Sequence, residues 1–553
     1  MTDPTAQSSP VRSTHASLSD ALSQLDEAKL SRFHWLTVLT AGMGFFTDAY
    51  DLFIIGTVTV ILTPIWHLST SQLSLLNSIS LLASVAGAIT FGKLMDRFGR
   101  KSVYGMEVSL LTLGAILSGF AWGFWALFAF RILVGLGVGG DYATSAVITS
   151  EYSNRTHRGR LLGTVFAMQG IGLLAGPAVA AILLGSGVPH ALAWRVMLAL
   201  GALPAASVIY LRRRIKESPR YTLAVKGDTA ATMASVAWAT GKLPVANGKG
   251  VPVANSEMPA HTLGETMRMQ PSSPSLASAS GTKPPSAAGA DTEPKAVSLF
   301  RSPFARRLVG AAGCWFLMDI AFYGNSVSSP LILKALQPHA SLLQDILLAG
   351  AIFLVAALPG YWVAVGLMDR LGRRRIQWQG FLVMALAFGS IAAIPGVIHD
   401  AWAFLVLFGI SYFFVEFGPN ETTFLFPAEI FPSRIRGAGD GFSAAAGKLG
   451  AFLGALAVPH LLEMVHLQGV MAIMAGVSLI GALLTLATLP EPNQMSLEAA
   501  SKDELPLWQA TQGAPAPASE AGSDMTWQEP EKETAAWVGS SHTAVSKRSS
   551  VPC

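Results

Sequence analysis

The chain runs to 553 residues, 51% hydrophobic and only 13% charged, with a formal net charge of +4. Soluble domains carry about 25% charged residues, so this composition excludes a large soluble enzyme, and the slight basic excess points to no nucleic-acid partner. Apolar runs of about 20 residues recur, each able to cross a ~30 Å hydrocarbon core, which predicts an all-α polytopic membrane protein.

Residues 1–33 form a polar segment without the apolar stretch of a signal peptide. Six spans follow near 34–62, 72–95, 102–121, 124–150, 160–184 and 191–211, making a first half over 34–212. An interval at 213–305 precedes six more spans near 306–334, 343–368, 376–396, 401–428, 438–462 and 466–489, a second half over 306–489. Residues 222–300 are rich in Ala, Ser, Pro, Gly and Thr with no apolar period, which predicts a flexible linker. The tail, 490–553, has similar character and is expected to be disordered. The cysteines, Cys314 in a span and Cys553 at the end, offer no disulfide framework.

"DRFGRK", "SNRTHRGR", "LRRRIKESPR", "DRLGRRR" and "FPSRIRGAG" fall on one side of this arrangement. "PIWHLSTS", "GSGVPH", "QPHASLLQD" and "VIHD", on the other side, lack Lys and Arg. The positive-inside rule then predicts cytoplasmic termini and a cytoplasmic middle loop, with the plasma membrane as the expected location. The halves also repeat. "GKLMDRFGRK" returns as "VGLMDRLGRR", and "EYSNRTHRG" as "EIFPSRIRG". Two six-helix halves related by parallel duplication resemble the major facilitator fold, which places substrate near the midplane between halves.

The buried charges carry the chemistry. Span one, "GMGFFTDAYDLF", holds Asp48 and Asp51 three residues apart on one helix face. A carboxylate at mid-bilayer costs from about 2.5 to over 10 kcal/mol, so two of them suggest a titrating, proton-coupling site. Span four holds Arg131 and Asp141 about 15 Å apart in depth at ~1.5 Å rise per residue, so each needs a partner elsewhere, for Arg131 an acid of span one. Its glycines at Gly135, Gly137, Gly139 and Gly140 suit close helix packing. Tyr142 follows Asp141, and Gln169 lies among small residues of span five, where an interhelical hydrogen bond is the plainer role.

On span seven, "CWFLMDIAFYGNS" sets Trp315, Asp319 and Tyr323 on one stripe. Packing is the ordinary reading of two aromatics, but the acid between them builds a polar pocket. Span ten, "FFVEFGPNETTFLFPAE", is predicted to break at Gly418 and Pro419, exposing Asn420. Span eleven buries Lys448 amid small residues. Tyr142, Gln169, Trp315, Asp319, Tyr323, Asn420 and Lys448 thus offer neutral donors, one cation and one acceptor. A small oxyanion suits them, and Asp319 beside an anion suits one that carries its own proton, as phosphate does and sulfate does not. No cofactor, metal cluster or nucleophile–base pair is indicated.

"GMGFFTDAYDLF", "GVGGDYATSAVITSEY", "CWFLMDIAFYG" and "FGPNETTF" with "PAEIFPSRIRG" and "GKLGA" resemble the phosphate:proton symporter family of the major facilitator superfamily. The resemblance implies phosphate binding by Tyr142, Gln169, Trp315, Asp319, Tyr323 and Asn420. It also implies proton movement or its coupling by Asp48, Asp51, Glu107, Asp141 and Lys448, with Arg131 a family charge. Glu107 has a plainer alternative, snorkelling toward the cytoplasm. At the helix ends, Asp96, Arg100, Glu151 and Arg158, with Asp369, Arg373, Glu429 and Arg436, are either topology signals or, as the superfamily implies, an ionic latch. As exposed pairs they would each be worth about 0–1 kcal/mol.

One departure stands out: the family usually has Asn where this chain has Glu416. "KESPRY" resembles the related sugar porters as well, so a sugar, polyol or organic-anion porter is the nearest rival reading, and a non-transporting nutrient receptor a more distant one. The expectation is a proton-coupled phosphate importer, a secondary transporter and not an enzyme, with phosphate, protons and the lipid bilayer as partners.

Overall fold

Apolar runs bounded by turn residues become helices throughout the computed structural model, which describes residues 21–243, 251–252, 298–327 and 342–502. The first half comprises α1 (Arg32–Trp66), α2 (Thr70–Phe98), α3 (Met106–Gly119), α4 (Phe124–Tyr152), α5 (Arg158–Gly185) and α6 (His190–Arg214). The second comprises α7 (Phe304–Val327), α8 (Ile346–Leu371), α9 (Arg373–Ala393) and α10 (Ala401–Ile430), followed by the stretch Arg436–Thr488. That stretch breaks at His466 (φ 57°, ψ 178°) into α11 (436–465) and α12 (467–488). The result is the twelve-helix, two-half architecture, and the protein is integral to the membrane.

Local signals set the helix ends. Ser69 and Gln72 form a reciprocal capping box at the start of α2, with Gln72 N–H to Ser69 Oγ at 3.3 Å and Ser69 N–H to Gln72 Oε1 at 3.0 Å. Asp400 Oδ1 accepts from the amides of Trp402 and Ala403 to start α10. Gly99 (φ 99°) and Gly372 (φ 88°) turn the chain out of α2 and α8 in the repeated loops, in backbone conformations that a side chain would strain. An acid from the end of each half covers the amides that follow. Glu217 accepts from Arg100 and Lys101, and Glu491 from Arg373 and Arg374.

Small residues let the helices touch. A Cβ on Gly135 or Gly139 of α4 would stand 2.2 or 2.0 Å from a carbonyl of α2, and one on Gly137 2.6 Å from the α3 backbone. The halves meet along two seams. In one, Gly92 of α2 faces Gly437 and Gly441 of α11; in the other, Gly163 and Gly170 of α5 face α8. Trp122, Trp125 and Trp402 are largely exposed at the end of the bundle that lacks basic loops, as interfacial anchors are. The opposite, charged end carries the basic loops.

Two intervals expected to lack fixed structure contribute packed pieces. Asp228 caps a helix over Thr229–Thr240, and Trp238 packs edge-on to Phe33 with ring centres 4.6 Å apart. A two-residue antiparallel pairing joins Lys242–Leu243 to Val251–Pro252, and linker residues 244–250 and 253–297 lie outside the described residues. Tail residues 490–502 run across the charged end, and 503–553 lie outside the description. Asn493 Oδ1 accepts from Arg373 at 2.7 Å, while Met495 O accepts from Arg158 of the first half. Glu498 pairs with Arg220 at 2.9 Å, and Arg220 also pairs with Asp26 at 2.5 Å. Burial pushes both carboxyls up. Asp26 stays above the ordinary range, whereas at Glu498 the guanidinium and a backbone amide outweigh burial and hold it below.

Candidate functional site

Eight side chains converge where the halves meet, each at most 2% exposed: Tyr142, Gln169, Trp315, Asp319, Tyr323, Tyr361, Asn420 and Lys448. Lys448 is the hub. Its Nζ lies 3.5 Å from Asp319 Oδ2 and 3.1 Å from the Tyr323 hydroxyl, and 4.0 Å from the centre of the Tyr142 ring. That geometry surrounds one ammonium with an acid, a phenol and two aromatic faces. Trp315 lies against Gly447, where a Cβ would meet the indole at 2.4 Å, so the ring is pressed flat beside Lys448. Small residues on α11 are therefore what admit the indole.

A hydrogen-bonded chain then crosses between halves. Gln169 Nε2 donates to the Tyr142 hydroxyl at 3.1 Å, and the Tyr361 hydroxyl donates to Gln169 Oε1 at 3.1 Å. Asn420 Nδ2 donates to the Tyr361 oxygen at 2.9 Å and to Glu416 Oε2 at 2.5 Å. Asn420 is presented by a distortion of α10: a π-type turn spans Glu416–Asn420, and Gly418 (φ −105°, ψ −109°) leaves helical geometry ahead of Pro419. The seven residues expected at the site are thus brought together. Tyr361 was missed, because a tyrosine in "LPGYWVAVG" has neither a charge nor a stripe to flag it.

Aromatic groups close the cage along the bundle axis. On the side of the charged end, Phe424 of α10 stacks on Phe166 of α5 (4.8 Å) and meets Phe45 of α1 edge-on (4.9 Å). On the other side Phe53 of α1 stacks on Tyr323 (6.0 Å) and meets Phe353 edge-on (5.8 Å). Each plug joins residues of both halves. Parting either one requires the halves to move.

The charges of the first half separate into two groups. Arg131 Nη1 lies 2.8 Å from Asp51 Oδ1 and 2.7 Å from Oδ2, fully buried. Asp141, Glu107 and Arg212 form a second cluster, with Arg212 Nη1 2.6 Å from Asp141 Oδ1 and 2.9 Å from Glu107 Oε1. Glu107 also accepts from the Gly105 amide and is 0% exposed, so it does not snorkel to the surface. Arg212 was missed because "LRRRIKESPR" reads as a topology signal. Asp48 differs from all of these: it is buried, and neither carboxyl oxygen has a hydrogen-bond partner. The charged groups acting on it are Asp141, Arg212, Lys448 and Asp51, so it stands between the Arg212 cluster and the cage.

At the charged end all eight loop residues join two matching clusters. Glu151 takes Arg100 at 3.1 Å and, from the other half, Arg436 at 2.8 Å. Glu429 takes Arg373 at 2.8 Å and, from the other half, Arg158 at 3.8 Å. Asp96 accepts from the amides of Gly437 and Ala438 at 3.0 and 2.7 Å, and Asp369 from those of Gly159 and Arg160 at 2.9 and 2.8 Å. Each aspartate thus sits on the positive end of a helix in the opposite half. The expectation of exposed, individually weak pairs is corrected here. Asp96 is 12% and Asp369 16% exposed, and the other six are at most 2%, because the halves close over them.

The Major Facilitator Superfamily profile matches residues 41–425. The chain is 36% identical over 539 residues to "Probable inorganic phosphate transporter 1-6" of Arabidopsis thaliana, covering 88% of this chain and 96% of that one. It is 35% identical over 499 residues to "Inorganic phosphate transporter 1-4" of the same plant, covering 80% and 86%. The chain belongs to the inorganic phosphate transporter family of the major facilitator superfamily. Its fold is also that of the solved proton:xylose symporter XylE bound to 6-bromo-6-deoxy-D-glucose, with TM-score 0.68, 18% identity and coverage of 85% of this chain and 99% of that one. This membership makes the protein a transporter and not an enzyme.

Proposed function

We propose that the protein imports inorganic phosphate together with protons by alternating access, with the anion held in the cage around Lys448. The observation that carries this reading is the pairing of Lys448 with Asp319 inside a ring of neutral donors. A protonated phosphate satisfies both: its charged oxygens take the ammonium, phenol and amide donors, while a P–OH donates to the carboxylate. A sugar carries no charge for the ammonium to hold, and a fully ionised oxyanion would have no proton to donate to the Asp319 carboxylate.

The charged end is read as cytoplasmic, in the plasma membrane, since its loops hold the basic residues. In the conformation described here the latch is closed on that side and both plugs are in place, a state that fits an occluded carrier. Import then requires Phe53 to leave Tyr323 and Phe353 for loading, and Phe424 to leave Phe45 and Phe166 for release. Uptake of an anion against a negative potential is uphill, and each accompanying proton offsets one charge, about 2.3 kcal/mol per 100 mV. Asp48 is the first-half candidate for carrying it, being buried without a hydrogen-bond partner. Purified protein in liposomes tests the reading. Radiolabelled phosphate should accumulate when the outside is acid, with phosphate-dependent alkalinisation outside, and Asp319→Asn should raise KM for phosphate. Phosphate uptake that ignores pH and is outcompeted by a sugar refutes it, as does binding without movement.

A further inference from the structure

Two buried acids of α10 remain outside the scheme above. Glu421 is fully buried, and neither of its oxygens has a hydrogen-bond partner. Glu416 is fully buried as well; its Oε2 accepts from Asn420 and its Oε1 has no partner. The groups that face them contain no compensating cation. The charge acting on Glu421 is that of Glu416, and the charge acting on Glu416 is that of Asp319 on α7. From α8 comes the Tyr361 phenol, on which both glutamates act, and from α5 the Gln169 amide that Tyr361 bonds. α9 offers Gly380 against Gly418.

Their positions form a path. Glu416 touches the cage through Asn420, which also holds Tyr361. Glu421 lies one residue beyond Asn420, toward Phe424 and the charged end, on the seam between halves: a Cβ on Gly163 of α5 would stand 3.2 Å from its Oε2. An ionised carboxylate without cation or donor at this depth costs several kcal/mol. Opening the α5–α10 seam removes that penalty by admitting water to Glu421.

We propose that Glu416 and Glu421 are a second proton-carrying station, on the second half, which takes a proton from the cage side and releases it at the charged end when the seam opens. The inference rests on the phosphate–proton reading above and extends it. The atoms balance simply: a proton arriving with substrate resides on one carboxyl of the pair, the O–H bond breaks when water reaches Glu421, and the carboxylate is reprotonated from the cage side before the next cycle. Asp48 and this station then lie on opposite halves, and the number of protons moved per phosphate is the sum of the two contributions.

The test is the proton-to-phosphate ratio, read in liposomes as pH-dye alkalinisation against radiolabelled phosphate. In Glu421→Gln the ratio should fall by one proton per phosphate, and one titrating step should leave the pH profile of uptake. Phosphate counterflow should persist. Glu416→Gln should lower the ratio in the same way. An unchanged ratio and pH profile in Glu421→Gln overturns the proposal. If the wild-type protein moves no phosphate at all, the underlying reading has failed instead. A measurement on the unsubstituted protein guards against a variant that does not fold. A hydrophobic carbodiimide, which attacks protonated carboxyls in apolar surroundings, should give an adduct on the peptide holding Glu416 and Glu421, less as pH rises. No adduct on that peptide at any pH also overturns it.

Discussion

Asp96→Asn isolates the latch, because this carboxylate contributes little within its own half beyond Arg100 at 3.3 Å. Its two oxygens take the Gly437 and Ala438 amides at 3.0 and 2.7 Å, at the start of α11 in the other half. Hydrogen bonds to a charged acceptor are worth about 1.5–3 kcal/mol each, and the helix end adds roughly 0.3–1 kcal/mol. Asparagine keeps one acceptor and turns a donor toward the other amide, so at least one bond and the charge are lost, ~2 kcal/mol or more. A shift of ~2 kcal/mol is about 30-fold, which would take a carrier resting at roughly 99:1 closed to about one quarter open at the charged end. Spin labels on the exposed positions 160 and 370, one in each half, read that population directly by pulsed dipolar spectroscopy in a background lacking Cys314 and Cys553. The variant should show a second, longer distance. An unaltered distribution would refute the claim that these inter-half bonds hold the closed state.

Asp48→Asn should abolish pH-driven phosphate accumulation in liposomes while counterflow survives; full accumulation would remove its coupling role. Gly44→Ala places a Cβ 1.8 Å from Asp141 Oδ2 and 2.2 Å from Arg212 Nη2, so the buried cluster must part. We expect about 3–5 kcal/mol of destabilisation, seen as a lower Tm in detergent, and an unchanged Tm would show that the cluster adjusts freely. Glu498→Gln should loosen residues 497–501, measured as faster hydrogen exchange there. Since the Glu498 carboxyl lies below its ordinary 4.5 in the docked tail, its contribution is complete above that value. It is lost as pH falls through the lowered one, so the wild-type protein should gain the same fast exchange only in acid.

Helix placement was legible in the sequence because a bilayer demands length and apolarity, and the repeated "DRFGRK" and "DRLGRRR" loops reveal the duplication. The need of Arg131 for an acid on another helix was legible too, since depth along α4 separates it from Asp141. Lys448 and Asp319 were legible as members of one polar set, but their direct pairing at 3.5 Å comes from the structure. What escaped were contacts that tertiary structure alone creates. Phe45, Phe53, Phe166 and Phe424 read as ordinary span residues until two halves set them face to face. Arg212 sits in a run of three arginines, and nothing in the run marks the one that turns inward. Trp238 anchors its helix only because Phe33 and Tyr152 lie beneath it. Glu421 was passed over because it adjoins the more conspicuous break at Gly418 and Pro419.

The run from 490 to 502 acts as a splice across the two halves. Gln494 donates to Thr156 O and Glu498 holds Arg220 on one side, while Arg307 reaches Ala500 O and Ser501 O on the other. A fluorescent fusion or protease site placed directly after α12 would therefore sever a tie between moving parts and change the turnover it was meant to report. Shortenings that begin beyond Lys502 spare it, and a factor pulling on the chain from that point would load the contacts that tie the two halves together.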